Sequence, residues 1–191
     1  LISVISVAQQ NLNLIPKPNS VEIKKGHFVL NKETVIVADE NSFEAKYLQK
    51  EIKDRTGFLL KISLKSNSKS KIGFFDMLLP GVIFEIDSLG NRSINRNKGK
   101  YFLRIEKSEI TIAQCDDIGN FYGIQTLVQM IPYDKSSEIK LKEVSISDQP
   151  KFQWRGMHLD VCRHFFPKDF IKKYIDYLAM YKMNTFHWHL T

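Results

Sequence analysis

The sequence predicts an α+β domain, a mixed sheet with two helices, followed by the start of a (β/α)8 TIM barrel. Two observations carry this prediction. Residues 12–148 alternate short strand patterns with two amphipathic helix patterns. After the proline-containing joint at 148–150 the chain instead reads strand, helix, strand, which is the repeating unit of a parallel barrel. Residues 149–191 supply only the first such unit, so we expect an incomplete barrel.

Composition indicates a globular protein. The 191 residues are 43% hydrophobic and carry a net charge of +7. The basic residues are spread along the chain and form no single stripe, so the charge does not favour a nucleic-acid partner.

The first 11 residues are predicted to be a leader. Residues 1–8 are apolar, end in small residues and are followed at once by the polar run 9–11. This pattern favours the remnant of a signal peptide over a buried edge strand, so we expect an exported protein. Since no run approaches about 18 apolar residues, no membrane span is expected.

The first helix of the α+β domain is predicted to begin at Asn41. Glu44 follows three residues later in the capping-box position, and Gly57 ends the helix in the left-handed conformation. The positions predicted to face inward are Phe43, Tyr47, Leu48 and Ile52.

The second helix is predicted over 118–130, with Asp116-Asp117 as its N-terminal cap and Pro132 beyond its end. Strands 101–105 and 110–112 should form a hairpin. Further strands are predicted at 21–23, 34–38, 59–64, 71–75, 82–86 and 144–146, with a polar loop at 91–100.

The barrel unit begins with a buried strand at 157–161. Pro167 opens a helix over 168–182, and a second buried strand follows at 184–190. A connection of this length implies parallel strands. The helix positions predicted to face inward are Ile171, Tyr174, Ile175 and Leu178.

Arg163 is the first candidate site residue, because it follows the first barrel strand directly. The carboxyl ends of barrel strands form the active-site face. A guanidinium there suits sugar hydroxyls or a carboxylate, although an ion pair with Asp160 is an equally simple interpretation. Asp160 is predicted to pair with Arg155 or Arg163.

His187 and His189 stand two residues apart on a strand and should point to the same face. Two such imidazoles could bind a metal, as in metal-dependent barrel hydrolases, or could be ordinary core histidines.

Among the remaining residues, Cys115 and Cys162 are predicted to be separate buried side chains, although an exported protein could join them in a disulfide. Phe152 and Trp154 are predicted to pack the joint between the two domains.

Four segments carry a resemblance to a known family. They are 13–18 (NLIPKP), 119–129 (GNFYGIQTLVQ), 152–167 (FQWRGMHLDVCRHFFP) and 175–191 (IDYLAMYKMNTFHWHLT). The last two closely resemble the start of the catalytic barrel of family 20 glycoside hydrolases, the β-N-acetylhexosaminidases. The upstream part resembles the accessory α+β domain of that family.

The resemblance implies hydrolysis of terminal N-acetylglucosamine or N-acetylgalactosamine with retained configuration, assisted by the acetamido group of the substrate. Arg163 matches the arginine that grips the terminal sugar, whereas Arg155, Asp160, His164 and His189 match positions that support the pocket. No metal or organic cofactor is implied, and the partner is a glycan.

In the family, the catalytic Asp-Glu pair lies later in the barrel. We therefore expect the catalytic residues beyond residue 191, and a 191-residue chain that is inactive alone and tends to aggregate through its unburied barrel surfaces. Two alternatives are the metal-dependent hydrolase and a non-catalytic carbohydrate-docking module. The sequence does not predict the oligomeric state, the preferred sugar or the linkage.

Overall fold

A computed structural model describes residues 12–76, 98–114 and 116–191. The predicted leader, the predicted strand at 82–86 and Cys115 lie outside the described residues, as does most of the predicted loop at 91–100.

The described residues form nine strands and three helices. The strands are β1 (Ser20–Asn31), β2 (Val35–Val37), β3 (Lys61–Ser63), β4 (Lys71–Asp76), β5 (Tyr101–Ile105), β6 (Glu109–Gln114), β7 (Glu138–Asp148), β8 (Gly156–Asp160) and β9 (Thr185–His189). The helices are α1 (Phe43–Thr56), α2 (Asp117–Met130) and α3 (Lys168–Met180).

Strands β1 to β7 form one mixed sheet in the order β1-β7-β5-β6-β4-β2-β3. The β1–β7, β7–β5 and β5–β6 pairs are antiparallel, and the β6–β4, β4–β2 and β2–β3 pairs are parallel. The predicted hairpin is confirmed, with Leu103 opposite Ile112. The two helices and the mixed sheet confirm the predicted α+β domain.

The core of this domain lies between the sheet and helices α1 and α2. Leu48 and Ile52 of α1 and Ile124 and Leu127 of α2 are fully buried. Helix α2 approaches the sheet closely at Gly123, where a Cβ atom would stand 2.6 Å from a methyl group of Ile112. Only glycine permits this separation.

The N-terminal caps of α1 and α2 lie at, or one residue from, the positions predicted for them. The cap of α1 is Ser42, not Asn41, because the Ser42 hydroxyl accepts a hydrogen bond from the Ala45 N–H at 3.2 Å. Gly57 ends α1 at φ 84°, as predicted. The cap of α2 is Asp116, whose carboxylate accepts from the Gly119 N–H at 2.7 Å.

Strands β8 and β9 form a separate parallel pair connected by α3, with Gly156 opposite Thr185 and Asp160 opposite His189. The predicted strand–helix–strand unit is therefore confirmed. The prediction that both strands are buried is wrong, since Met157, His158, His187 and Trp188 are all exposed.

Several predicted inward-facing side chains are also exposed. Phe43 and Ile175 lie at the surface, although Ile171 and Leu178 of α3 are buried as predicted. Trp154 is 70% exposed and Phe152 is 66% exposed, so neither ring packs the joint. Cys162 is a free, exposed thiol and not a buried residue.

The two units meet at the turn between α3 and β9, residues 181–184. Lys182 is only 5% exposed, and its backbone is left-handed at φ 59°. Its ammonium group donates to the Tyr101 hydroxyl at 2.6 Å and to the Asp148 carboxylate at 3.1 Å. The Tyr101 hydroxyl donates to the same carboxylate at 2.9 Å and lies 2.6 Å from the Thr126 hydroxyl.

Within the described ranges, no helix is both long and apolar enough to cross a bilayer.

Candidate functional site at the carboxyl end of the parallel pair

Asp160 and Arg163 form an ion pair where β8 ends. Asp160 is the last residue of the strand, and the Arg163 guanidinium donates to its Oδ2 atom from the turn that follows. The other carboxylate oxygen, Oδ1, accepts from the backbone N–H of Cys162 at 2.9 Å. Asp160 therefore both shapes the turn and holds the arginine. Of the two pairs predicted for Asp160, the structure forms the one with Arg163.

The ion pair has a clear electrostatic signature. The Arg163 guanidinium, together with the Cys162 N–H, holds the pKa of the Asp160 carboxyl well below its usual range. The Arg163 side chain is nevertheless 74% exposed. A guanidinium has five N–H donors, so the face turned away from Asp160 retains donors for a ligand.

His189 lies beside this pair at the end of β9. Its Nδ1 atom is 3.4 Å from Asp160 Oδ1, close enough for an ion pair when the imidazole is protonated. Parallel register places His189 directly opposite Asp160. Three of the sequence-predicted residues, Asp160, Arg163 and His189, are therefore brought together by two strand ends.

The same sheet face carries two more imidazoles. His158 is paired with His187 in the register, and their ring centroids are 4.7 Å apart. The rings of His187 and His189 lie on one face, as predicted, 6.3 Å apart and nearly perpendicular. Within the part of the chain that the structure describes, no group of three or more His, Cys, Asp or Glu side chains has a geometry suited to a metal.

The two remaining predicted support residues differ in position. His164 is exposed in the turn after β8, next to Arg163 in the chain. Arg155 precedes the opposite end of that strand, where it donates to the Lys182 carbonyl at 2.8 Å and to the Tyr122 hydroxyl. Arg155 therefore supports the joint between the two units and does not contact the Asp160–Arg163 pair.

His158 and Lys182 were not predicted as important from the sequence. The signal for His158 was available, because it is two residues before Asp160 and so shares its strand face. No local pattern distinguishes Lys182 from the many surface lysines, since its partners are 34 and 81 residues away in the chain.

Comparison with known families covers both units. The model described as glycosyl hydrolase family 20, domain 2, matches residues 11–149. The chain belongs to glycosyl hydrolase family 20. The model of the family 20 catalytic domain matches residues 152–191.

Two β-hexosaminidases are similar to nearly the whole chain. A β-hexosaminidase of Porphyromonas gingivalis is 32% identical over 190 residues, which are 95% of this chain and 23% of that protein. A β-hexosaminidase of Vibrio furnissii is 31% identical, over 94% of this chain and 26% of its own length. The chain thus spans about a quarter of the length of these relatives.

A solved structure supports the same relationship. The family 20 exo-β-N-acetylglucosaminidase of Vibrio harveyi, in complex with N-acetylglucosamine, aligns with a TM-score of 0.73 at 30% identity. The alignment covers 93% of this chain and 25% of the other. Both described units therefore have counterparts in a family 20 enzyme.

Proposed function

We propose that this chain forms part of a β-N-acetylhexosaminidase that removes terminal N-acetylglucosamine or N-acetylgalactosamine from glycans. Membership of family 20 supports the proposal, as do relatives named β-hexosaminidases along the chain. The observation that carries it is the exposed Arg163 guanidinium at the carboxyl end of β8, held from one side by Asp160.

In this proposal β8, α3 and β9 are the first unit of a (β/α)8 barrel. Catalytic residues of such barrels gather at the carboxyl ends of the strands. Asp160, Arg163 and His189 all lie at that end of the β8–β9 pair. The proposed domains are residues 12–148 and 149–191, with 1–11 as a leader.

Arg163 is the proposed sugar-binding residue. Since Asp160 occupies one part of the guanidinium, the remaining N–H donors can face adjacent hydroxyls of a terminal sugar. His189 lies beside Asp160, with its Nδ1 atom 3.4 Å from Asp160 Oδ1. Asp160 and His189 therefore act on the sugar only through the position of Arg163.

The proposed hydrolysis is assisted by the substrate: the acetamido oxygen of the sugar attacks the anomeric carbon, and a glutamic acid protonates the leaving oxygen. Residues 149–191 contain no glutamate. The adjacent pair Asp39-Glu40 follows β2 in the other sheet, where Asp39 accepts from the Asn41 N–H. We propose that a later part of the barrel supplies the acid and the assisting aspartate.

Substitution of Arg163 by alanine in the whole protein tests the proposed role. Loss of charge-assisted hydrogen bonds should cost about 1.5–3 kcal/mol, so kcat/KM for an aryl N-acetylglucosaminide should fall by roughly tenfold to a hundredfold. Arg104→Ala, an exposed arginine on β5, is the control and should leave kcat/KM unchanged. An unaltered kcat/KM in Arg163→Ala would make Arg163 purely structural.

Both alternative functions have less support. A metal-dependent hydrolase would need a further ligand beside His187 and His189, and among the described residues no group of three or more His, Cys, Asp or Glu side chains could hold a metal ion. A carbohydrate-docking module would not by itself explain the match of residues 152–191 to a catalytic domain.

We further propose that the protein is exported, on the apolar run at 1–8 and the small residues that end it. N-terminal sequencing of the protein from its native host tests this. A mature chain that still carries residues 1–8 would contradict it.

A further inference from the structure

The joint between the two units depends on side chains. In the described ranges, β8 and β9 pair only with each other and share no strand hydrogen bond with the seven-stranded sheet. The side-chain hydrogen bonds that cross the joint come from residues in and around the turn at 181–184. They lie beside an apolar groove that Phe121 and Tyr122 of α2 line together with Leu178 of α3.

Lys182 makes the most buried of these contacts. Its ammonium group enters the α+β domain between β5 and the end of β7, where Tyr101 is fully buried and Asp148 is 8% exposed. Burial lowers the pKa of Lys182, while the Asp148 carboxylate opposes that shift. A cation so removed from water depends on its acceptors, since an unpaired buried charge is strongly unfavourable.

Three further residues hold the backbone around Lys182. The Gln129 amide of α2 donates to the Met180 carbonyl at 3.1 Å. Arg155 donates through Nε to the Lys182 carbonyl at 2.8 Å, and through Nη2 to Tyr122 of α2. The Asn184 side chain accepts from the Arg155 N–H at 2.9 Å. The turn is thus fixed on both sides of the buried lysine.

The turn is also connected to the candidate site. It leads directly into β9, and Arg155 leads directly into β8. Each strand then runs five residues, about 16 Å, to the ends that carry Asp160 and His189. The α+β domain therefore holds the starts of the two strands whose far ends form the candidate site.

We propose that the turn at 181–184 is a plug that fastens the strand–helix–strand unit to the α+β domain, with the Lys182 ammonium as its buried contact. Tyr101, Thr126 and Asp148 form the socket. Withdrawal of Lys182 opens the joint while the sheet of the α+β domain stays folded. The α+β domain is then a foundation for the site, and this role does not depend on the proposed hydrolase activity.

Hydrogen exchange followed by mass spectrometry tests the plug in Lys182→Met, which keeps the length of the side chain and removes its charge. Amides of β8, α3 and β9 should exchange faster by about a hundredfold or more, as expected when one partner of a buried pair is lost. Amides of β4 and β6 should change by less than about threefold. The control Lys50→Met removes an exposed pair with Asp54 and should alter neither region.

Two outcomes of that experiment would overturn the plug. If β4 and β6 accelerate as much as β8 and β9, Lys182 is an ordinary core residue of the α+β domain. If β8 and β9 do not accelerate, the joint holds without Lys182.

A measurement on the unsubstituted protein covers the case in which Lys182→Met does not fold. Amine labelling with an acylating reagent should modify Lys182 much more slowly than Lys50, because the buried Lys182 ammonium group can react only when it leaves the socket, whereas Lys50 is exposed. Labelling of Lys182 at the rate of Lys50 would show that the socket is empty in solution.

Discussion

Arg163 shows how one side chain can be both held and available. Its guanidinium is paired with Asp160, yet 74% of the side chain is exposed. Asp160 is the last residue of β8, so Arg163 is held against a strand even though it lies in the turn that follows. A positioned cation of this kind loses less conformational freedom on binding a ligand than a free surface arginine would.

The Asp160–Arg163 pair gives a testable dependence on pH. The pKa of folded Asp160 lies below the ordinary aspartate value of about 3.9. The stability it contributes is therefore complete above that value and is lost as the pH falls through the lowered pKa. Carboxyl ¹³C NMR should show this low midpoint, and the midpoint should rise in Arg163→Ala.

Asp54 serves as the internal reference in the same spectra. Lys50 lowers its pKa independently of Arg163, so its midpoint should be the same in both proteins. If Asp160 titrated near the ordinary value before the substitution, the ion pair would not persist in solution.

Among single residues, the sequence predicted what lies close in the chain. The shared face of His187 and His189 and the pairing of Asp160 with Arg163 follow from spacings of two and three residues. The placement of Arg155 was not predictable in that way. Its partner Tyr122 is 33 residues distant and belongs to the other unit, so only tertiary packing decides the contact.

For the described helices and strands, the sequence predicted the type of element better than the residues at which it begins and ends. Strand β1 extends over Ser20–Asn31, whereas only 21–23 was predicted. The pairing of β1 with β7 shifts register between Ile23 and His27, around Gly26 at φ 129°. The bulge changes the phase of the alternation: Ile23 packs against the core before it, whereas Phe28 and Leu30 are buried after it, so the pattern at 21–23 does not continue in register.

Helix α1 offers a direct test of its cap. Ser42→Ala removes the hydroxyl that accepts from the Ala45 N–H and should lower the free energy of unfolding by about 1 kcal/mol. Asn41→Ala is the matched control, because Asn41 is exposed and lies one residue before the cap. Urea unfolding of both variants decides the matter; a larger loss in Asn41→Ala would make Asn41 the effective cap.

Across the whole molecule, the two units differ in how completely they are buried. The α+β domain encloses its own core of buried aliphatic side chains, although Leu59 and Leu64 are exposed at its surface. In the β8–α3–β9 unit only Ile171 and Leu178 are buried among the hydrophobic residues. The sequence pattern predicted both strands as buried because it reports which faces are apolar, not whether another layer covers them.

We expect the purified 191-residue chain to release no p-nitrophenol from p-nitrophenyl N-acetylglucosaminide. The proposed mechanism needs a glutamic acid at the candidate site, and residues 149–191 contain none. A full-length β-hexosaminidase assayed beside it is the positive control. Measurable release by the chain would place the proton donor on the α+β domain and overturn the proposed arrangement.

The left-handed backbone at Lys182 places two opposed demands on one position. At φ 59° glycine or asparagine has a lower conformational energy than lysine, but neither is long enough to reach the Asp148 carboxylate. Any replacement that relaxes the main chain there gives up the cation, and any that keeps a cation keeps the conformational cost. No single substitution at position 182 can therefore both relieve the left-handed backbone and keep a cation beside Asp148.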